Sequence, residues 1–141
     1  MSDLKKRIFD IIKKPQVMAL ATLTKDSRPW VRYMYGRGFE DLRIIFPTFP
    51  GSRKAAQIEQ NPEVHITCGA SNLEDCSEYL QIAGRAKISS DPKLKLLIWN
   101  DALKAYYTGP DDPNYCLCIV TPYHIELNSM EATEAMIWEA E

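Results

Sequence analysis

Apolar positions change their spacing several times along the chain, and each change marks an element. Leu4, Ile8, Ile11 and Ile12 recur at helical spacing between Ser2-Asp3 and Pro15, which predicts an amphipathic helix at the start. Val17 to Leu23 is a short apolar strand, and Thr24-Lys25-Asp26-Ser27 reads as a hairpin turn. Pro29 to Tyr35 is a β-prone run carrying Trp30, Val31, Tyr33 and Tyr35, with Arg32 set among them. Gly36 and Gly38 then predict a bulge or a sharp bend. Leu42 to Phe46 is the next strand. A helix from Ser52 to Asn61 carries Ala55, Ala56 and Ile58 until Asn61-Pro62 ends it.

The second half is mostly extended. Val64, Ile66 and Cys68 alternate with His65 and Thr67, the pattern of a half-buried strand. Ser71 to Ser77 is a polar loop, and Tyr79 to Ile88 is a long strand kinked at Gly84. Asp91-Pro92 opens a helix with Leu94, Leu97, Ile98 and Ala102 on one side. Thr108 to Asn114, rich in Gly, Pro and Asp, is a loop. Tyr115 to Thr121 and His124 to Leu127 read as two closing strands around Pro122. The acidic tail after Asn128 reads as a short helix or a mobile end. Six to seven strands with two helices between them and one before them do not alternate as βαβ units. They predict a mainly β protein, an antiparallel β-barrel with about three packed helices, as a single domain over 1–141.

Composition then removes several function classes. A net charge of −2 lacks the basic excess on which general nucleic-acid binding rests. No apolar run approaches the ~20 residues that cross a bilayer. The N-terminal stretch, studded with Lys and Arg, has no uninterrupted apolar core of a secretory signal. A cytoplasmic protein with neither nucleic acid nor membrane among its partners is expected. Cys68, Cys76, Cys116 and Cys118 lack zinc-site spacing and read as reduced thiols acting as small hydrophobes, so no metal is expected. His65 and His124 read as ordinary strand histidines, and Asp111-Asp112 and Glu74-Asp75 as turn formers. No catalytic residue stands out.

The chemistry concentrates after Phe46. Thr48-Phe49-Pro50-Gly51-Ser52-Arg53-Lys54-Ala55 runs from a strand through a turn into a helix whose first residues are a hydroxyl and two cations. A helix start has free N–H groups and the positive end of the macrodipole, so Ser52, Arg53 and Lys54 there make a receptor for a phosphate. Without an anion the two cations sit at the wrong end of the dipole, and on residues alone a solvated surface is the alternative. Arg32 on an apolar strand needs a partner if buried, which a phosphate or an internal carboxylate would each supply. The stretch matches neither G-x-G-x-x-G nor G-x-x-x-x-G-K-[ST], so it is neither a Rossmann nor a P-loop site.

Taken together, Arg28-Pro29-Trp30-Val31-Arg32, Ile45-Phe46-Pro47-Thr48, Gly51-Ser52-Arg53-Lys54-Ala55 and Gln57-Ile58-Glu59-Gln60-Asn61-Pro62 resemble the pyridoxamine 5'-phosphate oxidase family. Tyr79-Leu80-Gln81-Ile82-Ala83-Gly84-Arg85-Ala86 continues the likeness. Ile98-Trp99-Asn100-Asp101 and Gly109-Pro110-Asp111-Asp112-Pro113-Asn114 resemble the general stress protein 26 branch. The resemblance implies the FMN-binding split-barrel fold. It implies FMN, ahead of FAD or F420, as cofactor, and a homodimer with the flavin at the interface.

Residue by residue, the resemblance gives Arg32, Arg53 and Lys54 to the FMN phosphate, with Ser52 beside them at the helix start. It gives Thr48 to the phosphate–ribityl end and Arg37 to the neighbourhood of the isoalloxazine. Tyr79 falls where many oxidases place a Gln. True pyridoxamine phosphate oxidases carry an Arg-x-His-Asp-Arg type segment near the C-terminus, whereas Ser129 to Glu141 has no Arg, Lys or His. The implied function is therefore a flavoprotein oxidoreductase of the stress-protein type with a small-molecule redox partner, and not a vitamin B6 oxidase. The rivals are a non-catalytic flavin-binding or flavin-sensing dimer, or a split barrel that takes F420 or haem.

Overall fold

The computed structural model describes residues 1–141. It is built from α1 (Asp3–Ile12), β1 (Gln16–Leu23), β2 (Pro29–Gly38), β3 (Ile44–Thr48), α2 (Arg53–Gln60), β4 (Glu63–Cys68) and β5 (Glu78–Ser89). There follow α3 (Pro92–Ile98), a 3-10 helix (Asp101–Ala105), β6 (Cys116–Ser129) and β7 (Met136–Glu139). The strands lie antiparallel in the order β3-β2-β1-β4-β5-β6-β7, and a further β3–β6 pairing closes the first six into a barrel. The expected mainly β barrel with three packed helices is the observed one.

Strand alternation sorts residues between two environments. Met18, Leu20, Met34, Ile44, Phe46, Ile66, Leu80, Ile82 and Ile125 face inward and are buried. The helix α1 adds Ile8 and Ile12 to this interior, and α2 adds Ile58. Ser2 caps α1 through its side-chain oxygen, which accepts from Lys5 N–H. On β6, Cys118 and Val120 enter the barrel while Leu117 and Ile119 turn outward. That outward row packs with Ile45, Ile98, Tyr107 and Tyr115 into a second, smaller core.

Four local readings are corrected. The strand β2 continues unbroken through Gly36 to Gly38, where its pairing passes from β1 to β3 without a bulge. Its glycines serve close packing: a Cβ on Gly36 would run into the Ile45 carbonyl oxygen of β3, and one on Gly38 into the Ile12 side chain. Leu42 lies before β3 with φ 69°, buried in the turn. Chain 116–129 is one strand, because the register of β5 and β6 shifts between Ala83 and Gly84 and sets Gly84 opposite Pro122. A proline that offers no N–H is tolerated at such a bulge. The acidic tail forms β7, paired to β6 from His124 to Leu127, with Trp138 half-buried against the core.

No helix is long and apolar enough to cross a membrane. Because the β2–β3 contact has no room for a methyl group at Gly36, Gly36→Ala is expected to lower unfolding free energy by about 1–3 kcal/mol, as overpacking does. The reading is a lower urea midpoint at unchanged slope. An unchanged midpoint would show that the two strands can part at no cost.

Candidate functional site

The barrel interior is apolar until the end where β1 and β3 finish, and there it becomes polar. The inward rows run Met18, Leu20, Thr22 on β1 and Ile44, Phe46, Thr48 on β3. Both threonines are buried. Arg32 belongs to the inward row of β2, paired across to Leu20. The helix α2 lies against β1 and β5 and brings Lys54 and Gln57 over this layer.

The hydrogen bonds tie the layer together. Arg32 Nη1 donates to Thr22 Oγ1 at 2.7 Å and to the Leu20 carbonyl at 3.2 Å. Arg32 Nη2 donates to Gln57 Oε1 at 3.2 Å, and Thr22 Oγ1 donates to the same oxygen at 2.5 Å. Lys54 Nζ donates to Thr48 Oγ1 at 2.9 Å. Ser52 is the N-cap of α2, its Oγ accepting from Ala55 N–H at 3.3 Å, so its own hydroxyl proton stays available to a ligand.

Charge sets this layer apart. None of the ion pairs in the structure involves Arg32, Arg53 or Lys54, whereas Arg7, Arg43 and Arg85 each hold a carboxylate. Burial, and then the Arg53 charge, hold the Arg32 guanidinium below its ordinary value. Burial, and then the Arg32 charge, push the Lys54 ammonium below its own. The cations thus raise one another's energy, at a helix start whose dipole repels them as well. An anion placed among them would lower the energy of all three cations together.

Beside the layer opens a cleft of about 560 Å³, lined mainly by apolar side chains. Tyr33 and Tyr35 of β2, Pro47 of β3 and Phe49 just after it, and Tyr106 and Tyr107 after the 3-10 helix form its walls. Thr48 and Lys54 belong to its lining too, so the cleft and the cationic layer are continuous. No histidine or cysteine lines it. The surroundings suit a flat, largely apolar ring system carrying a phosphate.

Of the residues singled out in the sequence, Arg32, Thr48, Ser52, Arg53 and Lys54 come together here. Arg37 does not: it lies on the outward row of β2, its guanidinium 4.6 Å from the Phe39 ring, near Lys13, Glu40 and Asp41. Tyr79 sits outward at the start of β5, paired with Asn128 and separated from β2 by β1 and β4. Sequence reasoning missed Thr22 and Gln57. A signal for each existed: Thr22 continues the alternation of Met18 and Leu20, and Gln57 lies one turn after Lys54 beside buried Ile58. The histidines are remote, with His124 held by Glu126 and Glu139 on β6 and β7. Those two carboxylates raise its pKa, through the Glu126 hydrogen bond above all. The Cys68, Cys116 and Cys118 thiols are buried and unpaired.

Comparison with known proteins agrees with this geometry. Residues 4–129 match the model of the pyridoxamine 5'-phosphate oxidase family. General stress protein 26 of Bacillus subtilis is 38% identical over 133 residues, which is 93% of each chain. A pyridoxine/pyridoxamine 5'-phosphate oxidase of Rubrobacter xylanophilus is 38% identical over 72 residues, 51% of this chain, which covers only 33% of that enzyme. The crystal structure of general stress protein 26 from Bacillus anthracis superposes with a TM-score of 0.84 at 29% identity, covering 99% of this chain and 100% of the other. The family match over residues 4–129, with the likeness to general stress protein 26 along its length, identifies the chain as a member of the pyridoxamine 5'-phosphate oxidase family.

Proposed function

We propose that this protein binds FMN, with the phosphate in the layer of Arg32, Ser52, Arg53 and Lys54 and the ring in the adjoining cleft, and acts as a flavin-dependent oxidoreductase. The observation that carries the proposal is the set of cations without a carboxylate partner beside an apolar cleft. Two or three charge-assisted hydrogen bonds at about 1.5–3 kcal/mol each supply much of the ~8 kcal/mol that micromolar affinity requires. Burial of the ring system adds to this, less the cost of association. When bound, flavin accepts and donates hydride or electrons, and the protein contributes placement and electrostatics. The acceptor is a small molecule. Residues 130–141, β7 and its approach, carry no Lys, Arg or His.

The proposal includes a second copy of the chain. Val31, Tyr33 and Tyr35 on the outward row of β2, with Val17 beside them on β1, are exposed, Tyr33 by 81%. Tyr33 and Tyr35 also wall the cleft, so one apolar face serves both ring and partner. A two-fold dimer across this face encloses the flavin between protomers. Tyr33→Glu is expected to convert the dimer to a monomer in light scattering and to loosen FMN with it. A variant that stays dimeric counts against this interface.

Arg53→Ala is expected to weaken FMN by about one to two decades, the value of one charge-assisted contact. Flavin titration measures it, and an unchanged affinity would overturn the phosphate assignment. The redox part is tested by turnover with NAD(P)H and an artificial acceptor. A protein that holds FMN without turnover is the flavin-binding or flavin-sensing dimer instead.

Lys54 gives a pH signature. Its folded pKa lies below the ordinary 10.5, so in the window between the two the unfolded chain binds more protons and the free protein gains stability as pH rises. FMN binding needs the ammonium, so affinity is expected to fall through the same window, with protons taken up on binding. Lys54→Met should flatten both profiles, in thermal melts for the first and flavin titrations for the second.

A further inference from the structure

Arg32 is buried enough to need partners, yet the partners it has are all uncharged. They are the hydroxyl of Thr22, the amide oxygen of Gln57 and the carbonyl of Leu20. A carboxylate in place of the Gln57 amide would make a tighter local pair and leave the guanidinium neutralised. We propose that Thr22 and Gln57 are positioning residues, a neutral clamp that aims the Arg32 guanidinium and keeps its charge free for the ligand phosphate.

The clamp is specific in its geometry. Gln57 Oε1 accepts from Arg32 Nη2 and from Thr22 Oγ1, and Thr22 Oγ1 accepts in turn from Arg32 Nη1. The three groups close a ring of hydrogen bonds in which each oxygen has a defined role. Gln57 is also on α2, the helix that supplies Arg53 and Lys54, so the ring ties β1, β2 and the start of α2 into one rigid unit. Side chains locked in this way hold a binding constellation more tightly than free ones do. Neither residue needs to touch the ligand, since each acts through Arg32.

This inference rests on the FMN reading above, and its test separates the two. Dissociation constants for FMN and for riboflavin, which lacks the phosphate, are measured by fluorescence quenching on the wild type and on Thr22→Val, Gln57→Glu and Arg32→Ala. Wild type is expected to favour FMN by more than tenfold. Thr22→Val should lose about tenfold for FMN and nothing for riboflavin, as when one hydrogen bond is removed. Gln57→Glu should lose about a hundredfold for FMN alone, because its carboxylate takes Arg32 as an internal counter-ion. In an Arg32→Ala background, Thr22→Val should cost nothing further, which a merely structural role does not predict. A wild type with no preference for FMN overturns the phosphate reading and the clamp with it. A wild type that prefers FMN, with Arg32→Ala abolishing the preference while Thr22→Val and Gln57→Glu retain it, overturns the clamp alone. Should Thr22→Val fail to fold, Gln57→Glu decides by the same comparison.

Discussion

Uncompensated positive charge at the end of an apolar barrel is the constraint on which the rest of the site depends. Arg32 and Lys54 are half-buried, and both are held below their ordinary pKa by burial and by cationic neighbours. Carboxylates hold Arg7, Arg43 and Arg85 elsewhere on this chain. Here hydroxyls and an amide surround the cations instead. Such partners satisfy the donors without cancelling the field. An anion bound there would release the stored repulsion and turn a local destabilisation into affinity.

The barrel makes this affordable in space as well as in energy. Closing six strands through the β3–β6 pairing brings the ends of β1 and β3 beside one helix start. The strand β6 stabilises that closure from both sides. Its residues Cys116 to Val120 pair with β3, and its far half pairs with β7, while β5 runs along the other edge for nearly its whole length. The bulge opposite Gly84 lets one strand serve both neighbours despite Pro122. Paired on both sides within this frame, β2 and β3 hold Arg32 and Thr48 at the same end of the barrel.

Much of this was legible in the sequence where local chemistry and element boundaries coincide. The run from Thr48 to Ala55 announces a helix start with cations, and the structure puts it where β3 ends. Arg32 was legible as a buried charge in need of a partner, though not which partners. What escaped was long-range. Gly36 and Gly38 look like bend residues, but their smallness is required by β3 and α1, elements that lie outside β2 on either side of it in the chain. Pro122 looks like a strand break until the bulge opposite Gly84 is known. The tail had no clear alternation to mark β7, whose strand character comes from an available edge of β6. Gln57 was marked only by its place one turn after Lys54, because an amide here gains its role from Thr22 and Arg32, which are distant in sequence.

Strand β2 shows how one segment serves two functions that must meet. Its period of two sends Arg32, Met34, Gly36 and Gly38 inward and Val31, Tyr33, Tyr35 and Arg37 outward. The inward row carries Arg32, which the proposed function gives to the phosphate, and the close packing against β3. The outward row carries the aromatic wall of the cleft and the exposed apolar face. Arg37 therefore cannot join the cationic layer of its own chain, whatever its spacing from Arg32, because an odd separation on a strand always changes face. If it meets the ring system, it does so from the outward side, where a second copy of β2 would also lie. Under the proposed function, ligand anchoring and assembly are separable by strand parity, and substitutions one residue apart on β2 would report on different things.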